Sequence, residues 1–140
     1  MSKSKEKIKD FADKLGIKLS EENDGSFILI ERSTIVLVTF PILGDKIKEE
    51  VVSLSSLVAR GCRVDSALMS ELLKLNVHMN VGAFGIEKDM VHFKYNILNA
   101  QNIDEDNFIL VLSMVVLAAE EYGKKIVSTH GGENNAFLMN

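Results

Sequence analysis

Cys62 is the residue in this sequence best placed to act as a nucleophile. It follows Gly61, precedes Arg63 and lies just before a predicted helix. A neighbouring arginine and a helix N-terminus both favour the thiolate, which is the reactive form of cysteine. A thiol enzyme that uses Cys62 is therefore one hypothesis. The alternative, which we favour, is an inert and half-buried cysteine in a connection between elements.

The histidines and glycines indicate no other chemistry. His78, His92 and His130 fall on a predicted helix end, on a strand and in the C-terminal segment, and one cysteine completes no metal-ligand pattern. Gly82 and Gly85 lie inside a predicted strand and do not open a helix, so they form no dinucleotide-binding loop. We predict no metal, no cofactor and no catalytic site.

The charge balance argues against nucleic acid as a partner. The formal net charge is −4, with 16 Lys and Arg against 20 Asp and Glu. Affinity for the phosphate backbone is built from clusters of basic side chains, and the cluster from Lys3 to Lys9 is interrupted by Glu6. The uncharged stretch Asn107 to Ala119 is shorter than the roughly 20 residues that cross a bilayer. With a single cysteine and no signal-peptide pattern, we expect a cytoplasmic protein that binds no membrane.

Three segments carry apolar residues at helical spacing, at Ser4 to Leu15, from Asp65 to about Met79, and from Asp104 to Tyr122. Asp65 and Asp104 suit helix N-caps. The third helix is apolar nearly all round, so more than one of its faces must be covered. Gly123 is expected to end it.

Strands are predicted between and after the first two helices. Asp24-Gly25 predicts a hairpin turn, and the β-branched run from Thr34 to Phe40 predicts a central strand. The serine-containing segment from Val51 to Val58 is read as a more exposed strand near an edge. A hairpin with one solvent-exposed face is predicted for Val81 to Glu87 and Met90 to Ile97. The predicted fold is α+β, an antiparallel sheet of about five to six strands with three helices in the order α-β-β-β-α-β-β-α.

No interior linker divides the chain. Residues 1–127 are therefore predicted to form one domain. Residues 128–140, which are polar and contain Gly131-Gly132, are predicted to form a flexible C-terminal tail. The apolar residues Phe137, Leu138 and Met139 within that tail could dock or could be solvated.

The second and third helices carry more apolar side chains than one sheet face can cover. An apolar patch left exposed on a soluble domain usually marks an interface. The candidate protein-binding or dimer surface consists of Leu68, Met69, Leu72, Leu75, Met114 and Val115.

Three segments between Thr34 and Tyr122 carry a resemblance to a known family. They are the strand Ile35 to Pro41, the helix Ala67 to Val77 running into Gly82-Ala83-Phe84-Gly85-Ile86, and the strand Val91 to Tyr95 followed by Ile103-Asp104-Glu105-Asp106 and an apolar helix. In this order the chain resembles the YbjN and type III secretion chaperone-like superfamily.

The resemblance implies a small homodimer that binds a protein or peptide client and has no catalytic residues. The secretion chaperones of this superfamily wrap an extended client segment around their surface, whereas the YbjN-like members are linked to regulation. The alternative function is a small-molecule sensor with a pocket between the sheet and the third helix. Tyr95, His92 and Ser113 are the polar groups that such a pocket could use.

Overall fold

The computed structural model describes residues 2–134 and contains one principal antiparallel sheet. The strand order is β1-β2-β3-β6-β8-β7, and a short β9 pairs with the end of β6. A separate ribbon is formed by β4 and β5. The strands are β1 Lys18–Glu21, β2 Phe27–Glu31, β3 Thr34–Thr39, β4 Ile42–Leu43, β5 Glu49–Glu50, β6 Val52–Arg60, β7 Ala83–Glu87, β8 Met90–Ile97 and β9 Glu133–Asn134.

The helices are α1 Lys3–Leu15, α2 Ser66–His78, α3 Glu105–Leu117 and α4 Gly123–His130. The side chain of Asp65 accepts a hydrogen bond from the Leu68 N–H, and that of Asp104 accepts one from the Asn107 N–H, so both predicted N-caps are confirmed. Gly16 ends α1 in the left-handed conformation. Within residues 2–134, no helix has the length and apolar character needed to cross a bilayer.

The core lies between one face of the sheet and the helices. Cross-strand pairs such as Phe27 with Val38 and Val38 with Leu54 place fully buried side chains on that face. Phe108 and Val115 of α3 are also fully buried. The predicted fold class is confirmed by this architecture, including the hairpin turn at Asp24-Gly25 between β1 and β2.

The serine-containing strand β6 is central, which corrects its prediction as an exposed strand near an edge. It pairs with β3 on one side and with β8 on the other. Ser53 and Ser56 are buried, and the Ser56 hydroxyl donates a hydrogen bond of 3.2 Å to the Val115 carbonyl. The hydroxyl is thus satisfied inside the core, and its small side chain lets α3 lie close to the sheet.

The third helix does not end at Gly123, which corrects a second prediction. A π-helical turn, Ala118–Tyr122, leads directly into α4, and Gly123 has helical φ and ψ angles. A Cβ atom added at Gly123 would lie 2.8 Å from the Val58 carbonyl oxygen. Glycine at this position therefore serves a close approach of helix to strand and not a helix stop.

The described part of the predicted tail is packed on the domain. His130 at the end of α4 is buried, and its Nε2 lies 2.5 Å from Oε2 of Glu71 on α2. Asn134 and Glu133 then pair with Ala59 and Arg60 of β6. Residues 128–134 are thus in contact with the rest of the domain. Residues 135–140, with Phe137 to Met139, lie outside the described residues.

Candidate protein-binding surfaces

The exposed face of α2 carries an apolar stripe. Met69, Leu73 and Val77 recur at four-residue spacing, so they share one face of the helix. Their exposed fractions rise along the helix from 46% to 68% and 80%. We call these three residues the α2 stripe. Ser66, Ser70 and Lys74 flank it, so a band of large apolar side chains lies between polar neighbours.

The six predicted surface residues divide between the core and the surface. Leu68, Leu72 and Val115 are buried within the chain itself, so their assignment to an exposed surface is corrected. They face the sheet because α2 and α3 use these positions to close the core. Leu75 and Met114 are partly buried. Met69 alone of the six is exposed.

Leu73 and Val77 are the residues of this surface that the sequence prediction left out. Both follow Met69 at helical spacing, so the signal was present in the sequence. Which apolar stripe of α2 faces the sheet could not be decided from periodicity, because the helix carries leucines on both sides. The binding role of this surface remains a prediction.

A second apolar surface is a groove between the end of α1, the β2–β3 turn and α3. It has a volume of about 350 Å³. Leu15, Ile109 and Leu117 are exposed large apolar side chains on its walls. We call it the α1–α3 groove, and its full lining is Leu15, Ile17, Glu31, Arg32, Ile109, Leu112, Ser113, Val116 and Leu117.

Charged side chains stand at one rim of the α1–α3 groove. Arg32 occupies the β2–β3 turn with a positive φ of 54°. Its guanidinium Nη1 donates to Oε2 of Glu120 at 2.9 Å, in an ion pair in which Arg32 is largely exposed and Glu120 is partly buried. The groove thus offers an apolar floor with a polar margin, the arrangement found in sites that bind side chains of another chain.

The edge strand β1 begins one residue after Ile17, which lines the groove. Among residues 2–134, β2 is the one strand that pairs with β1, so the other side of β1 is an open edge in this part of the chain. Such an edge can accept the backbone of an extended peptide. Groove and edge are continuous, because Ile17 belongs to the groove and Lys18 to the edge.

The outer face of the sheet lies opposite the helices. The outward side chains of its first strands include Ile28, Ile30, Ile35 and the partly exposed Leu37. Ile28 is opposite Leu37, and Ile30 is opposite Ile35. These side chains form a further apolar area beside the β1 edge.

The predicted chemical groups do not come together. Burial raises the pKa of the Cys62 thiol, and the negative charge of Asp89 raises it further. This is the opposite of the thiolate that a nucleophile requires. Nearby Arg63 is engaged elsewhere, because its Nη2 donates to the Thr129 carbonyl at 3.0 Å.

The polar groups suggested for a small-molecule pocket are likewise dispersed. Ser113 lines the α1–α3 groove, but Tyr95 and His92 do not. Both lie on β8, an odd number of residues apart, and therefore point to opposite faces of the sheet. In the part of the chain from residue 2 to 134, no three His, Cys, Asp or Glu side chains are grouped to hold a metal ion.

Comparison with known proteins identifies the family. The model of the TY-Chap1 family, described as T3SS (YopN, CesT) and YbjN peptide-binding chaperone 1, matches residues 7–136. The chain belongs to this family. The match confirms the predicted resemblance and the prediction of a protein-binding module. TY-Chap1 proteins are described as peptide-binding, so the exposed apolar surfaces are the relevant candidates for a site. No protein of curated function matches the chain by sequence.

Three solved structures share the fold of this TY-Chap1 chain. The ExsC–ExsE complex has a TM-score of 0.66 at 22% identity, with 89% of this chain and 93% of that chain covered. The HopA1–SchA chaperone–effector complex has a TM-score of 0.58 at 14% identity, with coverages of 89% and 92%. YbjN from E. coli has a TM-score of 0.55 at 12% identity, with 89% of each chain covered. At these identities the likeness supports the fold.

Proposed function

We propose that this chain is a homodimeric chaperone that holds an apolar segment of a client protein in the α1–α3 groove. The groove carries the proposal, because it leaves Leu15, Ile109 and Leu117 exposed around an apolar floor. Membership of a peptide-binding family supports it. So does the fold shared with a chaperone–effector complex.

The groove suits an apolar client segment for a simple physical reason. Apolar area removed from water contributes about 25 cal/mol per Å², so large client side chains on the groove floor would supply most of the affinity. Arg32 and Glu31 at the rim can select charged neighbours in the client. A client backbone that leaves the groove past Ile17 can continue along the β1 edge by main-chain hydrogen bonds.

The α2 stripe is the proposed dimer contact. A two-fold dimer brings the same patch of both subunits together, so the patch must be complementary to itself. Met69, Leu73 and Val77 form a straight apolar band that can pack on its own copy. The client groove lies on the other side of the chain, at α1 and α3, and would stay open in such a dimer.

The proposed function requires no catalysis and fits a reducing compartment. The protonated state favoured for the Cys62 thiol supports a role without covalent chemistry. A lone cysteine without a disulfide partner is typical of cytoplasmic proteins, and we place the chain there.

A peptide-binding measurement tests the client site. Peptides selected from a random library on the intact protein would be titrated by fluorescence anisotropy against the chain and against Leu117→Asp. A carboxylate on the groove wall should weaken binding roughly tenfold or more, since a buried charge without a partner costs at least the ~1.4 kcal/mol that this factor represents.

Leu110→Asp is the matched control for this test. Leu110 lies on the same helix and is exposed to 59%, compared with 46% for Leu117, but it does not line the groove. Equal loss of affinity in both variants, or unchanged affinity in Leu117→Asp, would remove the groove from the proposal.

A further inference from the structure

β9 directs the chain toward the α1–α3 groove. It pairs antiparallel with the last two residues of β6, so from Glu133 to Asn134 the chain runs toward the first residues of β3 and the β2–β3 turn. β8 pairs with the opposite side of the same two residues, so β9 and β3 share one side of β6. Because β3 already occupies the pairing position ahead of Asn134, β9 cannot extend far along β6. The structure thus brings the chain to the corner where Arg32 lies.

A cavity of about 330 Å³ lies at this corner. Its lining includes Asn134 of β9 and Ala119 and Glu120 of the π-helical turn. Arg32 lines this cavity and also the α1–α3 groove, so the two spaces adjoin at one side chain. Leu117 on the groove wall precedes Glu120 by three residues, which is about 4.5 Å along a helix. Asn134 is therefore separated from the groove by one cavity and about one helical turn.

Six residues of the sequence follow Asn134, and they lie outside the described residues. We call them the C-terminal hexapeptide, with the sequence Asn135-Ala136-Phe137-Leu138-Met139-Asn140. The hexapeptide has three large apolar side chains in succession and no charged side chain. An extended chain spans about 3.3–3.6 Å per residue, so Phe137 can lie about 10 Å from Asn134 and Met139 about 17 Å. This reach covers the cavity and the helical turn beyond it.

The groove and the hexapeptide match in chemical character. The groove exposes Leu15, Ile109 and Leu117 on its walls, and the apolar side chains of the hexapeptide would remove that surface from water. No charge is buried without a partner, because the hexapeptide has no charged side chain. A ligand held on the same chain by a short link acts at a roughly millimolar effective concentration, so even weak affinity is enough to fill the groove.

We propose that the C-terminal hexapeptide occupies the α1–α3 groove of its own chain and is displaced when a client segment binds. It acts as an internal competitor, so that only client segments with enough apolar contact take its place. It also shields exposed apolar side chains that otherwise favour association with other chains. This inference rests on the proposed function, because it describes the regulation of the same groove.

Methyl NMR spectra of the full chain test the occupant. Phe137→Asp removes the aromatic ring and puts a carboxylate in its place, which an apolar groove disfavours. The methyl resonances of Leu15, Ile109 and Leu117 should shift relative to the wild type, because the ring no longer lies beside them. The methyl resonances of Leu73 on the α2 stripe should stay unchanged, which also shows that the fold is retained.

Asn140→Asp is the matched control, because it adds the same charge to the same segment outside the apolar run. Its groove methyl resonances should stay at the wild-type positions. An uncharged client peptide, selected from a random library, should bind Phe137→Asp roughly tenfold more tightly than it binds the wild type or Asn140→Asp. A tenfold gain corresponds to a wild-type groove that is free for about one tenth of the time. Fluorescence anisotropy measures the three affinities.

The outcomes separate this inference from the proposed function. Unchanged groove methyl resonances in Phe137→Asp, equal shifts in Asn140→Asp, or the same client affinity in all three chains overturn the inference and leave the client site to the Leu117→Asp test. Shifted resonances in Phe137→Asp alone, together with tighter client binding, support it. Shifted resonances without client binding by any of the chains support the hexapeptide as the occupant and contradict the proposed function.

Discussion

The structural environment of Cys62 determines the reactivity of its thiol. Cys62 lies beside an arginine and a helix N-terminus in the sequence, which suggested a reactive thiolate. In the structure its side chain is buried and Arg63 donates to a carbonyl of α4 instead. Burial raises the pKa of the thiol, because the thiolate would have to form without water, and the negative charge of Asp89 raises it further.

The raised pKa of the Cys62 thiol predicts slow alkylation. Iodoacetamide should modify the native protein much more slowly than a free cysteine at neutral pH, and unfolding in urea should abolish the difference.

The raised pKa of the Cys62 thiol also makes the free energy of unfolding depend on pH. A thiol whose pKa is raised by folding contributes stability below its ordinary pKa of 9.0, and this is lost as pH rises through the higher folded value.

Comparison with Cys62→Ala at pH 8 and pH 10 isolates this contribution. The wild type should lose more of its free energy of unfolding between the two pH values than the variant does. Rapid alkylation of the native protein at pH 7 would contradict the prediction and would support the hypothesis of a thiol enzyme that uses Cys62.

Among the helices and strands, the features that depend on local sequence were the ones that could be predicted. The N-caps Asp65 and Asp104 and the turn at Asp24-Gly25 were predictable, because capping and turn chemistry act within a few residues. The position of β6 was not predictable. Its serines suggest exposure to solvent, whereas the buried Ser56 hydroxyl donates to a carbonyl of α3 that is 59 residues away.

The end of the third helix and the buried face of α2 also could not be predicted from local sequence. Gly123 has the type and place of a helix stop, and only its approach to Val58 explains why the helix continues. The pairing of β9 with β6 joins residues far apart in sequence and leaves no local pattern. Periodicity identified α2, but it could not distinguish the core side at Leu68 from the exposed side at Leu73.

Replacing Gly123 tests the helix–strand approach. Gly123→Ala should destabilise the protein by about 1–3 kcal/mol, as expected for overpacking, although alanine normally stabilises a helix by about 1 kcal/mol relative to glycine. The reason is the Val58 carbonyl oxygen, 2.8 Å from the added Cβ atom. Urea unfolding measures the difference.

Gly85→Ala provides the comparison, because open space surrounds an added Cβ at that position. Its free energy of unfolding should stay within about 0.5 kcal/mol of the wild-type value. A stabilised Gly123→Ala variant would show that α4 can move away from β6 at little cost.

The molecule has two separate exposed apolar surfaces, the α2 stripe and the α1–α3 groove. The α2 stripe and the α1–α3 groove lie on different helices and share no residue. A chain that used one of them for its own copy would keep the other for a client. This separation is the physical basis for proposing both a dimer and a client site.

The molecular mass in solution, measured by light scattering, tests the proposed dimer. The wild type should have twice the mass of a single chain at micromolar concentration, and Leu73→Asp should shift it to the monomer, because two carboxylates would meet at the two-fold axis. Leu98→Asp is the matched control, since Leu98 is exposed to 66% and Leu73 to 68%. A wild-type monomer, or a dimer that tolerates Leu73→Asp, would contradict the assignment of the α2 stripe.

The position of β9 has a consequence for the order of synthesis. β6 receives β3 from the chain already made, but it receives β8, α3 and β9 only from residues made later. Translation proceeds from the N-terminus, and contacts between distant segments form after both have emerged from the ribosome. The central strand therefore remains incomplete until residue 134 has left the exit tunnel.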